Sequence, residues 1–243
     1  RDVERSRGLG DVYKRQEYAP IGVFALLAGL IVDLAGDDPN NIITTLTPLL
    51  YYALTVIIGL SFMVFVFYPL IIYSYTGVPI NKFLKAIFPA QMLAFSTSSS
   101  AATLPLTMKR VEKNLNVSDE VTSFVCPLGA TINMDGTSIH QAISAVFIAQ
   151  AFGQDLTLVD QLAIVLTATL SSIGAAAVPG AGLIMLVIVL GAIGIDPQGL
   201  ALIIAIDRPL DMLRTVVNVT GDATVASVVA STEGEKIKFK KDE

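Results

Sequence analysis

Three long stretches of this chain carry no charged side chain: Pro39 to Asn81, Ala86 to Met108 and Gln161 to Ile195. Each is long enough to cross a bilayer, which takes about 20 apolar residues in a helix. A soluble fold has nowhere to put them, because uncharged runs of that length leave almost no water-facing surface. Composition agrees, with 53% of residues hydrophobic and 15% charged and a mean hydropathy of +0.66. The expected fold class is therefore an all-α membrane protein, with the lipid bilayer as its surroundings. A net charge of -5 carries no signal for nucleic acid, and no such partner is expected. Cys126 is the only cysteine, which excludes an intrachain disulfide and reads as a small packed side chain.

Residues 1–16 differ from everything after them. Arg1, Arg5, Arg7, Lys14 and Arg15 crowd the segment, which lacks the apolar core of a signal peptide. It reads as a charged tail, disordered or artefactual. Beyond it, every Lys and Arg except Arg208 and Arg214 falls in three places: Lys82 and Lys85; Lys109, Arg110 and Lys113; and Lys236, Lys238, Lys240 and Lys241. Basic connections stay in the cytoplasm. The base-free connections at Asp33, Asp37 and Asp38, at Asp155 and Asp160, and at Asp196 are expected outside.

Counting crossings on that basis, a spanning helix over 17–36 leads outward and one over 48–75 returns. The apolar segment 86–105 has basic residues on both sides, so it is expected to enter from the cytoplasm and turn back. A full span there would carry Lys109, Arg110, Lys113 and the lysine-rich tail outside. A spanning helix over 121–152 then leads out. Segment 161–195 lies between base-free connections and is expected to be a second re-entrant hairpin, from the opposite face. A last span over 200–231 returns to a cytoplasmic tail, 233–243. Helix breakers mark both turns: Ser96, Thr97, Ser98, Ser99 and Ser100, with Pro105 beyond, and Gly174, Pro179, Gly180 and Gly182. Non-helical backbone at membrane depth is tolerated only inside protein or beside a polar cavity, so two opposed tips imply a polar site between them. Each hairpin precedes a helix carrying Asn-x-x-Gly beside an aspartate: Asn133, Asp135 and Gly136, then Asn218, Gly221 and Asp222. That is the inverted-repeat pattern of secondary transporters, which bind near the midplane.

A charge at the bilayer centre costs about 2.5 to 3.5 kcal/mol on insertion scales, so the intramembrane charges need compensation. Asp211, Arg214, Thr215, Asn218 and Asp222 share one helical face by spacing. One reading is an internal Asp211–Arg214 salt bridge that pins helices together. It leaves Asp135 and Asp222 without a cation, and two such carboxylates beside amide oxygens and glycine-exposed carbonyls read as an oxygen cage for a hard monovalent cation. Asp207 and Arg208 are expected as a rim ion pair. His140, with no Cys or His partner, is no metal site and is expected to pack or make a local hydrogen bond.

STSSSAATLP at Ser96 to Pro105, GATINMDGTS at Gly129 to Ser138, SSIGAAAVPGAG at Ser171 to Gly182 and DRPLDMLRTVVNVTGD at Asp207 to Asp222 together resemble the glutamate/aspartate transporters, the dicarboxylate/amino acid:cation symporter family. The resemblance runs from about Tyr18 to Thr232. It implies that Asp211 holds the substrate amino group and Arg214 an acidic side chain, with Thr215, Asn218 and Thr137 making further contacts. The serine tip, Ser98 with Ser99 and Ser100, and Val178 to Gly182 would be inner and outer gates. Sodium sites are implied at Gly129, Asn133, Asn218 and Asp222; at carbonyls of Thr131, Ser172, Ile173 and Ala175; and at Asn133 and Asp135. Where an archaeal branch has arginine, this chain has Ser98, an arrangement that relies on Arg214.

The implied protein is a homotrimeric, multi-pass symporter of the cell membrane, inner or plasma, with a cytoplasmic C-terminus. It would carry aspartate or glutamate with sodium by an elevator mechanism, sodium ions being coupled substrates and no cofactor being needed. A helix at 17–36 would belong to the scaffold and 41–232 to the transport domain. The chain would begin at the fifth of eight spanning helices, a truncation that leaves it able to bind but not to transport alone. Alternatives are a dicarboxylate or proton-coupled carrier of the same family and, from another class, an anion-conducting channel. No enzyme is expected: the aspartyl-protease-like Gly8, Leu9, Gly10, Asp11 lies in the charged tail, outside any span.

Overall fold

The computed structural model describes residues 40–240; the expected tail over 1–16 and helix over 17–36 lie outside the described residues. Helix α1 (Asn40–Phe62), a π-helical turn (Met63–Phe67) and α2 (Tyr68–Thr76) form one continuous rod. The π turn has a local cause. In a regular helix Pro69 would press its ring on the Phe65 carbonyl and offer it no donor, and the wider turn, with Tyr68 N–H reaching Met63 O, makes room. Gly77, at φ 69, ends the rod. Leu49, Tyr52, Val56, Leu60, Val64, Tyr68 and Ile72 form its buried stripe, whereas Tyr51, Leu54, Ile58, Phe62 and Phe65 stand exposed. A helix apolar all round but packed along one stripe suits lipid on its other side. Leu46–Thr76, whose 18-residue window reaches a mean hydropathy of 2.4, is the one helix among the described residues long and apolar enough to cross a membrane.

Helices α3 (Ile80–Thr97) and α4 (Ser100–Leu115) pack together as the first hairpin. Its turn is two residues: Ser98 is left-handed at φ 50, and Ser99 is extended, its side chain accepting from Ala102 N–H to cap α4. The hairpin is longer than the expected 86–105. Lys82, Lys85, Lys109, Arg110 and Lys113 lie on its helices rather than in loops, and Pro105 sits inside α4. One lost hydrogen bond does not outweigh the packing of two whole helices.

The span expected over 121–152 is two half-helices, α5 (Asp119–Ile132) and α6 (Asp135–Ala151), parted at Asn133 and Met134. The break is possible because the Gly136 N–H, an orphan donor in the first turn of α6, is taken by Asn218 Oδ1 at 2.8 Å. The second hairpin, α7 (Leu158–Ile173) and α8 (Ala181–Ala192), opens with a Thr157–Asp160 capping box. Its tip over 174–180 is non-helical, with Gly180 at φ 77. A 3-10 turn (Pro197–Leu202) leads into α9 (Ile204–Thr232), the axis of the fold, which packs on α1 to α6 and on α8. After α9 the chain doubles back. Lys238 and Lys240 N–H donate to the Leu115 and Asn114 carbonyls, and the Glu235 carboxylate accepts from Ser118 N–H and Oγ. The segment expected as a tail is thus pinned over the α4–α5 turn as far as Lys240.

Candidate functional site

The two hairpin tips meet: Ser99 Oγ donates to the Ala177 carbonyl at 2.8 Å. Beneath them lies a small cavity of about 20 Å³. Ser98 and Ser100 line it from the first tip, and Val178 and Gly182 from the second. Thr137 at the start of α6 and Asp211, Arg214, Thr215 and Asn218 on α9 complete it. The expected α9 face is therefore real, and all four of its cavity residues are buried. Ser99 contributes the contact between tips rather than cavity wall. The first turns of α4 and α8 both open here, and helix N-termini favour negative charge.

Asp211 is at once an ion-pair partner and a tip anchor. Its Oδ1 accepts from Arg214 Nε at 2.8 Å and its Oδ2 from Gly180 N–H at 2.9 Å. Two glycines permit these approaches. A Cβ at Gly182 would lie 2.9 Å from Arg214 Cζ and Nη1, and one at Gly136 would lie 2.4 Å from the Arg214 carbonyl oxygen. Thr215 turns its hydroxyl back to the Asp211 carbonyl, at 2.8 Å.

Asp207 is not at the rim. Only 6% exposed, it sits 3.5 Å from Arg214 Nη1 and 3.4 Å from His140 Nε2. It lies four residues before Asp211, so the polar stripe runs one turn further than expected. Arg208, half-exposed, reaches Asp211 at 3.7 Å. His140 is fully buried, and its side-chain bonds are long-range rather than local: Tyr52 Oη at 3.0 Å and Arg214 Nη1 at 2.9 Å. Gln141, also unforeseen, donates to the Gly182 carbonyl at 3.0 Å and accepts from Ser171 Oγ at 2.7 Å, tying both helices of the second hairpin to α6. The available signal was polar side chains at helical spacing after Gly136 in an otherwise apolar stretch.

Of the expected cation ligands, Gly129, Asn133, Asp135 and Asp222 come together. Asn133 Nδ2 donates to Asp222 Oδ1 at 3.0 Å, and a Cβ at Gly129 would lie 2.5 Å from that same oxygen. Asp135 Oδ2 accepts from Tyr68 Oη at 2.7 Å. A Cβ at Gly221 would crowd both Asn133 Nδ2 and Tyr68 Oη. Among the described residues neither Asp135 nor Asp222 has an ion-pair partner. Asn218 commits its amide to α6, with Nδ2 donating to Met134 Sδ at 3.2 Å and Thr137 Oγ1 at 3.4 Å. Thr131 lies in the last turn of α5 and Ser172 and Ile173 in that of α7, with Ala175 just beyond in the tip. Carbonyls at such ends run short of helical donors and collect partial negative charge, the Ser172 carbonyl still accepting from Ala175 N–H at 3.1 Å. Thr131 and Ile173 side chains are exposed; Ser172 Oγ pairs with Ser138 Oγ at 2.8 Å.

A fold that is all-helical over its described residues, with two hairpins touching over a buried charged cavity and half-helix ends turned to it, has the architecture of helical secondary transporters. Residues 16–232 match the sodium:dicarboxylate symporter family, and the chain belongs to that family. It is 45% identical over 212 residues to "Excitatory amino acid transporter 1" of Ambystoma tigrinum, covering 87% of this chain and 38% of that protein. Against "Excitatory amino acid transporter" of Caenorhabditis elegans the identity is 42% over 212 residues, 87% of this chain and 41% of that protein. The human "Excitatory amino acid transporter 1" is 42% identical over 221 residues, 91% of this chain and 40% of that protein. The chain thus spans about two-fifths of the length of these relatives.

Proposed function

We propose that this chain is the substrate-carrying part of a sodium-coupled symporter for an acidic amino acid, aspartate or glutamate. The observation that carries the reading is Arg214, a buried guanidinium in the cavity beneath both tips, with Asp211 beside it. An amino acid with an acidic side chain presents one ammonium and two carboxylates. Asp211 complements the first; Arg214 and the N-terminal turns of α4 and α8 complement the others. Thr137, Thr215 and Asn218 complete the contacts. Asp135, Asp222 and the carbonyl ends of α5 and α7 supply oxygen-rich, negatively biased positions suited to sodium.

In this reading the first tip is the inner gate and the second the outer gate, the hairpins enter the membrane from opposite faces, and the C-terminus is cytoplasmic. The segment 41–232 moves as an elevator within a homotrimer in the cell membrane. Sodium at the α5 and α7 ends holds the second tip closed over substrate, which couples the two fluxes. The test is uptake of labelled aspartate into liposomes by the product of the complete gene. Uptake requires an inward sodium gradient, and Arg214→Cys abolishes aspartate binding while sparing neutral amino acids. Unchanged aspartate affinity in that variant, or uptake indifferent to sodium, refutes the proposal. Currents that reverse with the anion gradient alone would indicate a channel instead.

A further inference from the structure

Arg214 is gripped by two separate sets of groups. Asp211, which lines the cavity, takes Nε at 2.8 Å and lies 2.8 Å from Nη2. His140 and Asp207, which do not line it, meet Nη1 through Nδ1 at 2.9 Å and Oδ1 at 3.5 Å. Arginine has donors only, so the imidazole nitrogen facing Nη1 must accept, and the ring proton belongs on Nε2. From there every proton has one direction. Nε2–H donates to Tyr52 Oη at 3.0 Å, with Asp207 Oδ1 a second acceptor at 3.4 Å. Tyr52 O–H donates to Ser144 Oγ at 2.8 Å, because Ser144 O–H is itself committed to the His140 carbonyl at 2.7 Å. The chain of donors and acceptors closes only on a neutral histidine of that tautomer.

Among the described residues Nη2 is buried without an aligned hydrogen-bond acceptor. A guanidinium reads a carboxylate through the plane of its fork, so what fixes that plane decides what Nη2 meets. We infer that His140, backed by Asp207 and Tyr52, is a positioning and specificity-determining residue that holds Arg214 in the orientation which receives an acidic side chain. This rests on the acidic amino acid reading of the cavity. With the imidazole acceptor gone, Nη1 turns to a carboxylate of Asp207 or Asp211, and the fork leaves the plane that Nη2 needs.

The test uses the product of the complete gene, with sodium present, and compares L-aspartate with L-serine by direct and competition binding. His140→Leu weakens aspartate binding about ten-fold or more, the scale of a lost hydrogen bond to a charged group, and changes serine binding less than about three-fold. His140→Asn, whose amide oxygen can stand where Nδ1 stood, restores aspartate binding to within about three-fold of the original. Equal weakening of both ligands by His140→Leu, or no weakening, overturns the inference. Should that variant not fold, the tautomer decides. The ¹⁵N spectrum of histidine-labelled protein, with the His140 signal identified by its loss in His140→Asn, shows the proton on Nε2; a proton on Nδ1 overturns the inference. If the unaltered protein binds no acidic amino acid the functional reading fails, whereas the tautomer measurement still judges the hold on Arg214.

Discussion

Gly136→Ala adds one methyl where α6 crosses α9, and its consequence can be worked through from the packing. An ideal Cβ there would sit 2.4 Å from the Arg214 carbonyl oxygen and 3.0 Å from its carbonyl carbon and Cα. These are backbone atoms inside a helix and cannot swing aside. The two helices must part by about 1 Å before carbon and oxygen rest at their ordinary ~3.3 Å. That movement stretches the Gly136 N–H to Asn218 Oδ1 bond, now 2.8 Å, beyond useful length. Overpacking costs about 1–3 kcal/mol, and stranding a buried donor costs about 1–3 kcal/mol more. Alanine's better helix propensity offsets about 1 kcal/mol of this. A net destabilisation of about 1–5 kcal/mol is expected. Thermal unfolding of the purified protein, with and without sodium and aspartate, reads it directly. The midpoint falls, and the extra stability conferred by the ligands shrinks because Arg214 and Asn218 move with α9. A midpoint unchanged or raised, with the ligand shift intact, would refute the reasoning.

Three further outcomes follow from neighbouring geometry. Gly182→Ala places its methyl 2.9 Å from the Arg214 guanidinium and 3.0 Å from Thr137 Cγ2; side-chain ends can yield, so aspartate affinity falls about ten-fold while the unfolding midpoint moves much less than for Gly136→Ala. Asp222→Asn keeps the shape but removes a buried charge without an ion-pair partner among the described residues; stability in sodium-free buffer holds or rises, while the sodium needed for half-maximal aspartate binding increases at least about ten-fold. If that sodium requirement is unchanged, Asp222 does not contribute to a cation site. Thr157's hydroxyl and N–H, both donating to Asp160, hold that carboxyl below its ordinary value. The contribution is therefore complete above the unfolded-state value and is lost as pH falls through the lowered folded-state value. Acid unfolding scans of Thr157→Val, which removes the hydroxyl but keeps the N–H, should lose the hydroxyl's share of that pH dependence, and identical scans would rule it out.

Much of the site was legible because its chemistry is periodic. Asp211, Arg214, Thr215, Asn218 and Asp222 recur at helical spacing, and a helix places such residues on one face whatever surrounds it. The family motifs named the tips and the aspartates. Asp207 was misplaced because its position near the expected end of a span says nothing about what packs there. His140 was undervalued because its partners, Tyr52 and Arg214, are far away in sequence. The break after Ile132 was hidden for a similar reason: what stabilises it is an amide on α9.

By itself the sequence determined that this is an all-helical chain suited to lipid, that two interrupted apolar segments flank a polar site, and which helix bears the charges. Those conclusions rest on composition and on period, which are local. Only the tertiary structure decided that the tips touch through Ser99 and Ala177, that Asp207 and His140 brace Arg214, and that the segment 235–240 is bound over the α4–α5 turn. Each of these depends on a donor in one element finding its acceptor in another. Such pairings are set by how the helices cross, and that geometry emerges only when the whole chain packs.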